Sequence, residues 1–295
     1  MTAIPTAFAE SIVRRAGDAG RTWIDSLPEL TDDLLRRWSC RVAGPTLHGL
    51  SGIVIPTDRA DGSPAALKLS FPPSRNIAEP IALEKWNGNG AVRLLERDDD
   101  RAAMLLERLH AAAEPDPAPF STVGMLVRRL AVPAPPQLPT LADKLSDWTT
   151  TMRALARRLG DPLDTSVIGA ALANARNLTA DQPAVLVHGD LHLGNILHAD
   201  DGPRAIDPHG LVGDPAYDFL QVLRGDWNAL TAEPNLGRAV DRRAAEFAEA
   251  AELDRDRVRR WAQVRATASA LWLRDLQKPE SAIAIVDTLA SLLTA

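Results

Sequence analysis

Residues 184–210 limit what this chain can fold into more than any other stretch. Ala184-Val185-Leu186-Val187 is a short apolar strand, and His188-Gly189-Asp190-Leu191-His192-Leu193-Gly194 is a polar loop. Asn195 opens a second strand through Ile196-Leu197, and Ala205-Ile206-Asp207 reads as a third, with Asp200-Asp201-Gly202 as the turn between them. With that turn on Asp201-Gly202, antiparallel pairing sets Asp207 opposite Asn195 or its neighbour. A carboxylate and a carboxamide oxygen then stand beside one another near Asp190.

The chain before this stretch has a different character. Residues 23–39 have apolar side chains at helical spacing, Trp23 and Leu34-Leu35 through Trp38. Gly52–Pro56 and Ala65–Leu69 are short apolar strands around the turn signal Asp61-Gly62, which predicts a hairpin. A short helix fits residues 77–86, stopped by Gly88-Asn89-Gly90. Two further strands, Ala91–Leu95 and Ala103–Glu107, flank Asp98-Asp99-Asp100. Residues 1–110 therefore form a small, mainly antiparallel sheet with a leading helix and one internal helix. Beyond them Pro115, Pro117, Pro119, Pro133, Pro135, Pro136 and Pro139 mark loops, and residues 141–159 and 236–293 are helical by period and composition. The expected class is α+β, with a sheet lobe at 1–110 and a larger, mainly helical lobe at 111–295.

Composition removes several function classes. A net charge of −6 argues against nucleic acid or an anionic membrane surface as partner. Residues 1–110 carry 14 basic and 15 acidic side chains and the remainder 19 and 24, so any electrostatic preference of the second half is for cations. The single cysteine, Cys40, excludes an intrachain disulfide and a cysteine-rich metal site, and fits the reducing cytoplasm. Met1–Pro5 opens no signal sequence, and no run reaches the ~18 apolar residues of a membrane span.

The chemistry concentrates at the ends of strands. An Asp–Asn oxygen pair suits Mg²⁺, which takes a few hard oxygens together with nucleotide phosphates. Asp190, on the loop and outside that pair, is free to orient or deprotonate an acceptor hydroxyl, the division of labour phosphoryl transfer needs. Lys68 sits mid-strand between Leu67 and Leu69 in a chain with only four lysines, and a buried ammonium wants a carboxylate, from Glu79 or Glu84 on the following helix, with Glu79 preferred. His188 and His192 suit loop bracing better than metal ligation. Asp214, followed by Pro215, has the pattern of a helix N-cap. Trp227, Trp261 and Trp272 read as core.

His188 to Asn195 followed by Ile206-Asp207-Pro208 resembles the catalytic-loop and metal-binding motifs of the aminoglycoside phosphotransferase superfamily, relatives of protein kinases. Trp86–Leu95, Leu105–Leu109 and Asp207–Asp218 are similar to its aminoglycoside/hydroxyurea resistance kinase branch, which includes streptomycin 6-phosphotransferases. The resemblance spans residues 20 to 230 and implies a protein-kinase-like fold of two lobes. It implies Asp190 as catalytic base, Asn195 and Asp207 as metal ligands, Lys68 on the α/β-phosphates and Glu79 as its partner. Glu107 to Leu109 fall at the adenine hinge, and Gly44 to Gly52, with Gly49, Ser51 and Gly52, at the phosphate-covering loop. Asp218 matches an aspartate that braces the catalytic loop. Two departures, Gly189 in place of the arginine of protein kinases and Pro208-His209-Gly210 after the metal aspartate, are shared by small-molecule kinases.

The expectation is therefore an ATP- or GTP-dependent, Mg²⁺-requiring kinase of a small hydroxylated acceptor, with a streptomycin-like cation favoured. Hydroxyurea or another metabolite stays open, because acceptor contacts lie on the variable helical lobe. A dinuclear metallophosphoesterase is disfavoured with only six histidines and no Gly-Asn-His-Asp/Glu motif. A catalytically dead binding module is disfavoured by the joint presence of Lys68, Asp190, Asn195 and Asp207.

Overall fold

The computed structural model describes residues 3–72, 76–109, 119–199 and 201–294; the proline-marked loop at Pro115 and Pro117 lies outside them. The chain divides into two compact units, Met1–His110 and Ala111–Ala295.

The first unit runs α1 (Thr6–Arg37), β1 (Cys40–Val42), β2 (Leu47–His48), β3 (Gly52–Arg59), β4 (Pro64–Ser70), α2 (Ala78–Trp86), β5 (Leu94–Asp98) and β6 (Ala103–Glu107). Its sheet is antiparallel with order β1-β3-β4-β6-β5, and β2 adds to β3. Period-two alternation decides what each strand buries. Ile53 and Ile55 of β3, Leu67 and Leu69 of β4 and Leu105 of β6 meet Phe8, Ile12, Trp23, Leu27 and Leu34 of α1 in one core. The leading helix starts at Thr6, well before residue 23, and Gly17 (φ 57°, ψ −133°) kinks it.

β5 also departs from expectation, starting at Leu94 and not at Ala91. Arg93 just ahead of it exchanges hydrogen bonds with Glu107, its N–H to Oε1 (2.8 Å) and its carbonyl from the Glu107 N–H (2.9 Å). Ala91 and Val92 are buried. Asn87, at φ 45°, ends α2 ahead of the glycines that follow it.

The second unit runs α3 (Phe120–Leu130), α4 (Leu141–Arg158), α5 (Thr165–Ala180), β7 (Leu186–Val187), β8 (Ile196–Ala199), β9 (Gly202–Ala205), β10 (Leu211–Val212), α6 (Phe219–Gly225), α7 (Trp227–Thr231), α8 (Leu236–Ala251), α9 (Arg255–Asp275) and α10 (Glu280–Leu292). The helical run expected over 236–293 is three helices, broken where Glu252 turns to φ 55° and at Pro279. α3, α5 and α7 lie where no helix was expected. α9 is the internal helix: Val258, Trp261, Ala262, Val264, Ala266, Ala268, Ala270 and Leu271 are all fully buried, so apolar groups surround it. Trp261 is core as expected, whereas Trp227 and Trp272 are only partly buried. No described helix is long and apolar enough to cross a membrane.

The β8–β9 register differs from the sequence expectation. Ile196 pairs with Ala205 and Ala199 with Gly202, so the pairing runs through Gly202; Asp200 lies outside the described residues. Gly202, at φ 123°, joins the ladder instead of the turn. The Asn195 carbonyl accepts the Ile206 N–H at 2.9 Å, which sets Asn195 level with Ile206 and Asp207 one step past the pairing. Asp207 itself has φ 56°, so its side chain does not follow the strand alternation.

Candidate active site

In the sheet unit, β4 presents Lys68 toward α2, and its Nζ lies 2.6 Å from Glu79 Oε1. The two side chains are 11% and 7% exposed, so the lysine is buried and not snorkelling. Glu84 faces elsewhere and pairs with Arg97 at 3.1 Å. The glycine-bearing segment is a hairpin: Leu47 and His48 pair with Val54 and Ile53, and the Gly49 N–H reaches the Gly52 carbonyl at 3.0 Å. Its tip is Gly49 to Gly52, with Leu50 83% exposed. Gly52 is needed sterically, since a Cβ there would lie 2.6 Å from the Leu69 carbonyl oxygen, whereas Gly49 has open space around it. The Ser51 carbonyl accepts the Phe71 N–H at 2.7 Å. Glu107 ends β6 with its carboxylate on the Arg93 N–H, and Leu109 is the last described residue of the sheet unit.

In the helical unit, β7 and its partner β10 deliver the loop. His188 is 1% exposed and bridges the loop to the hairpin strand. Its Nε2 donates to the Ile206 carbonyl (2.9 Å), and its Nδ1 accepts the Asp190 N–H (3.2 Å). Burial pushes its pKa down to about 4, so the ring is neutral at physiological pH. Gly189 adopts φ 89°, and a Cβ there would sit 2.9 Å from both His209 Cβ and Leu211 Cδ1, which excludes the larger side chain of protein kinases from this backbone. The Gly189 N–H donates to Asp218 Oδ1 at 2.9 Å, and the Leu191 N–H also serves that carboxylate. Burial pushes the Asp218 pKa up to about 7, against the charge of Arg265 and those two N–H groups.

Asp190 is held through one carboxylate oxygen. Gln221, in the first turn of α6, donates from Nε2 to Asp190 Oδ1 at 2.8 Å, and Arg224 donates to Gln221 Oε1 at 3.2 Å. His209 Nε2 stands 4.0 Å from Asp190 Oδ2, too far for a hydrogen bond. Asn195 is 7% exposed, and its Nδ2 donates to the Asp190 carbonyl at 2.9 Å. That bond commits the donor edge of the carboxamide and turns its oxygen the other way. Asp214 caps the turn before α6 as expected, accepting the Ala216 N–H at 3.0 Å, and it also accepts from Trp261 Nε1 (2.6 Å) and from Arg257 of α9.

The structure brings His188, Asp190, Asn195 and Asp218 into one hydrogen-bonded set and joins Lys68 to Glu79 in the other unit. Gln221 and Arg224 escaped the sequence reading. The available signal was a polar residue inside the apolar run Phe219-Leu220-Gln221-Val222-Leu223, three positions past Asp218 and so on a neighbouring helical face.

The electrostatics near Asp190 also differ from expectation. Among the described residues, Lys144, Arg224 and Arg265 have no carboxylate at salt-bridge distance. Lys144 lies over the Trp148 ring at 5.8 Å; Arg265 lies 3.8 Å from the Tyr217 ring centre and donates to the Tyr217 carbonyl at 2.7 Å. Burial lowers the pKa of Lys144 and Arg224, and the charge of Arg265 lowers both further. The negative charge of the second half is therefore offset by cations in the region of Asp190.

Residues 37–276 match the aminoglycoside/hydroxyurea antibiotic resistance kinase family. The chain is 36% identical to a streptomycin 6-kinase of Streptomyces glaucescens over 276 residues, covering 91% of this chain and 90% of that protein. It is 35% identical to a hydroxyurea phosphotransferase of Kitasatospora aureofaciens, over 97% of this chain and 85% of that one. In fold it is similar to a choline kinase from Streptococcus pneumoniae, with a TM-score of 0.59 at 13% identity, over 90% of this chain and 98% of that one. The antiparallel sheet with its Lys68–Glu79 pair and the pinned aspartate loop of the helical unit both lie inside the matched region. The chain has the protein-kinase-like fold and belongs to the aminoglycoside/hydroxyurea antibiotic resistance kinase family, and it is a small-molecule kinase.

Proposed function

We propose that the chain transfers the γ-phosphoryl group of ATP, with GTP as an alternative donor, to a hydroxyl of an aminoglycoside such as streptomycin. The observation that carries this reading is the setting of Asp190. The carboxylate stands on a loop pinned by His188, Asn195 and Asp218, with Oδ1 engaged by Gln221 and, among the described residues, no hydrogen bond to Oδ2. Asp190 orients the acceptor hydroxyl and takes its proton as the new O–P bond forms and the bond from the γ-phosphorus to the nucleotide's bridging oxygen breaks. His188 and Asp218 hold the loop and do not react.

The remaining roles follow from donor chemistry. Lys68, oriented by Glu79, would neutralise the α/β-phosphates. The hairpin tip Gly49, Ser51 and Gly52 would cover the phosphates with backbone N–H groups. The backbone of Glu107 and Leu109 would meet the base, since the Glu107 carboxylate is already engaged. Asn195 and Asp207 fit Mg²⁺: both offer hard oxygens, and the Asn195 amide nitrogen is committed to Asp190. The metal would supply charge neutralisation on the transferring phosphates. Among the described residues no group of three or more His, Cys, Asp or Glu is gathered to hold a metal. A reaction that consumes nucleotide, in a chain with one cysteine, fits the cytoplasm.

Identity to streptomycin kinases favours a cationic acceptor. Lys144, Arg224 and Arg265 favour the second reading, a neutral acceptor such as hydroxyurea or another hydroxylated metabolite. Steady-state kinetics with streptomycin, a neutral polyol and hydroxyurea at two ionic strengths separate the two. A KM for streptomycin that rises with salt more than that of the neutral compounds supports the first. Turnover of the neutral compounds alone selects the second, and an Asp190→Asn variant as active as wild type overturns both.

A further inference from the structure

We propose that Gln221 is a positioning residue for the phosphoryl transfer, selecting Oδ2 of Asp190 as the oxygen that takes the acceptor's proton. The inference rests on Asp190 acting as the base.

A carboxylate has two equivalent oxygens, and a base that presents either one in turn is less well oriented than a base with one oxygen tied down. Here Oδ1 accepts the Gln221 Nε2 hydrogen bond at 2.8 Å. An amide could offer either its NH₂ or its oxygen to a neighbour, and an oxygen turned toward Asp190 would repel it. Arg224 removes that choice by donating Nη1 to Gln221 Oε1 at 3.2 Å. A guanidinium has no acceptor, so the amide oxygen must face Arg224 and the NH₂ must face Asp190. Oδ2 is then left to meet the hydroxyl.

The same loop has a separate anchoring system, which divides the labour. Asp218 holds the backbone N–H groups of Gly189 and Leu191, His188 holds that of Asp190, and Asn195 holds the Asp190 carbonyl. All of these grip the main chain, whereas Gln221 grips the reacting side chain. Loss of Gln221 should therefore change how Asp190 aims without unpinning the loop. Position 221 is partly exposed on α6, so isosteric replacement is tolerated by the fold.

The test compares kcat and KM of wild type, Gln221→Met, Asp190→Asn and the double variant Gln221→Met/Asp190→Asn, with ATP and streptomycin, or hydroxyurea if streptomycin is not turned over. Methionine removes the donor; kcat should fall by about 10–10² with the KM for ATP changed less than about twofold. In the Asp190→Asn background, where no base remains to aim, the same substitution should lower the residual kcat by less than about twofold. A residue that merely packs α6 against the loop would lower kcat by the same factor in both backgrounds. Equal factors, or a Gln221→Met variant with wild-type kcat, overturn the inference while Asp190→Asn stays impaired. An Asp190→Asn variant as active as wild type overturns the underlying assignment of the base. If Gln221→Met does not fold, Gln221→Ala is read by the same criteria.

Discussion

Changing Lys68 to methionine leaves the Glu79 carboxylate, 7% exposed, without the ammonium that lies 2.6 Å from it. At an effective dielectric of about 20, two unit charges at that separation attract by about 6 kcal/mol. Desolvating both ions costs several kcal/mol each, so the intact pair contributes little beyond what an apolar pair would. Breaking it is another matter, because a buried charge remains, and the expected loss is about 3–5 kcal/mol. With a urea m-value of about 3 kcal/mol/M, the midpoint for the sheet unit falls by roughly 1–2 M, followed by circular dichroism and by hydrogen exchange of the β4 and β6 amides. The double variant Lys68→Met/Glu79→Leu removes both charges and should return the midpoint to within about 0.5 M of wild type. Turnover should not return, since the lysine's charge on the phosphates is lost in both, by about 10²–10³. A single variant as stable as wild type would show that the pair is solvated and the burial argument wrong. A double variant with normal turnover would refute the role given to Lys68.

Asp190→Asn should leave unfolding and nucleotide binding nearly unchanged while kcat falls by about 10²–10⁴, read by a coupled ATP-consumption assay; normal turnover rules out the base. Asp207→Ala should abolish Mg²⁺-dependent turnover, because the proposed pair loses its anionic member and Asn195 is neutral; a Mg²⁺ titration identical to wild type assigns the metal elsewhere. Asp218 holds its proton to about pH 7 when folded but only to about 3.9 when unfolded, so its contribution is complete below pH ~4 and is lost as pH rises toward 7. The stability of wild type minus that of Asp218→Asn should fall by about 1.4 kcal/mol per pH unit across that window. His188 has the opposite sign: its neutral ring stabilises above pH ~6.5, and the contribution is lost as pH falls toward about 4. Wild type minus His188→Gln should therefore rise with pH between about 4 and 6.5, and a flat difference in denaturant midpoints would contradict the burial of the ring.

Much of what depends on neighbours along the chain was legible in the sequence. The β3–β4 hairpin, the strand–loop–hairpin of residues 184–210, α4 and the Asp214 cap all follow from alternation, turn residues and capping chemistry that act within a few positions. Lys68 stood out because the chain uses so few lysines. Partner choice was decided by tertiary structure. Only the path of α2 across the sheet pairs Lys68 with Glu79 and sends Glu84 to Arg97. The β8–β9 register turned on whether Gly202 joined the turn or the ladder, both open to a glycine, and the ladder won at φ 123°. Net charge pointed to an acidic acceptor lobe, yet folding brings Lys144, Arg224 and Arg265 from α4, α6 and α9 into the region of Asp190. Gln221 reads in sequence as one polar residue in an apolar helix, and it meets Asp190 because α6 returns to the loop 31 residues later. Local chemistry sets which elements form, and the packing of distant elements determines which polar groups meet, because hydrogen bonds and charges act over a few ångströms in space whatever their separation in the chain.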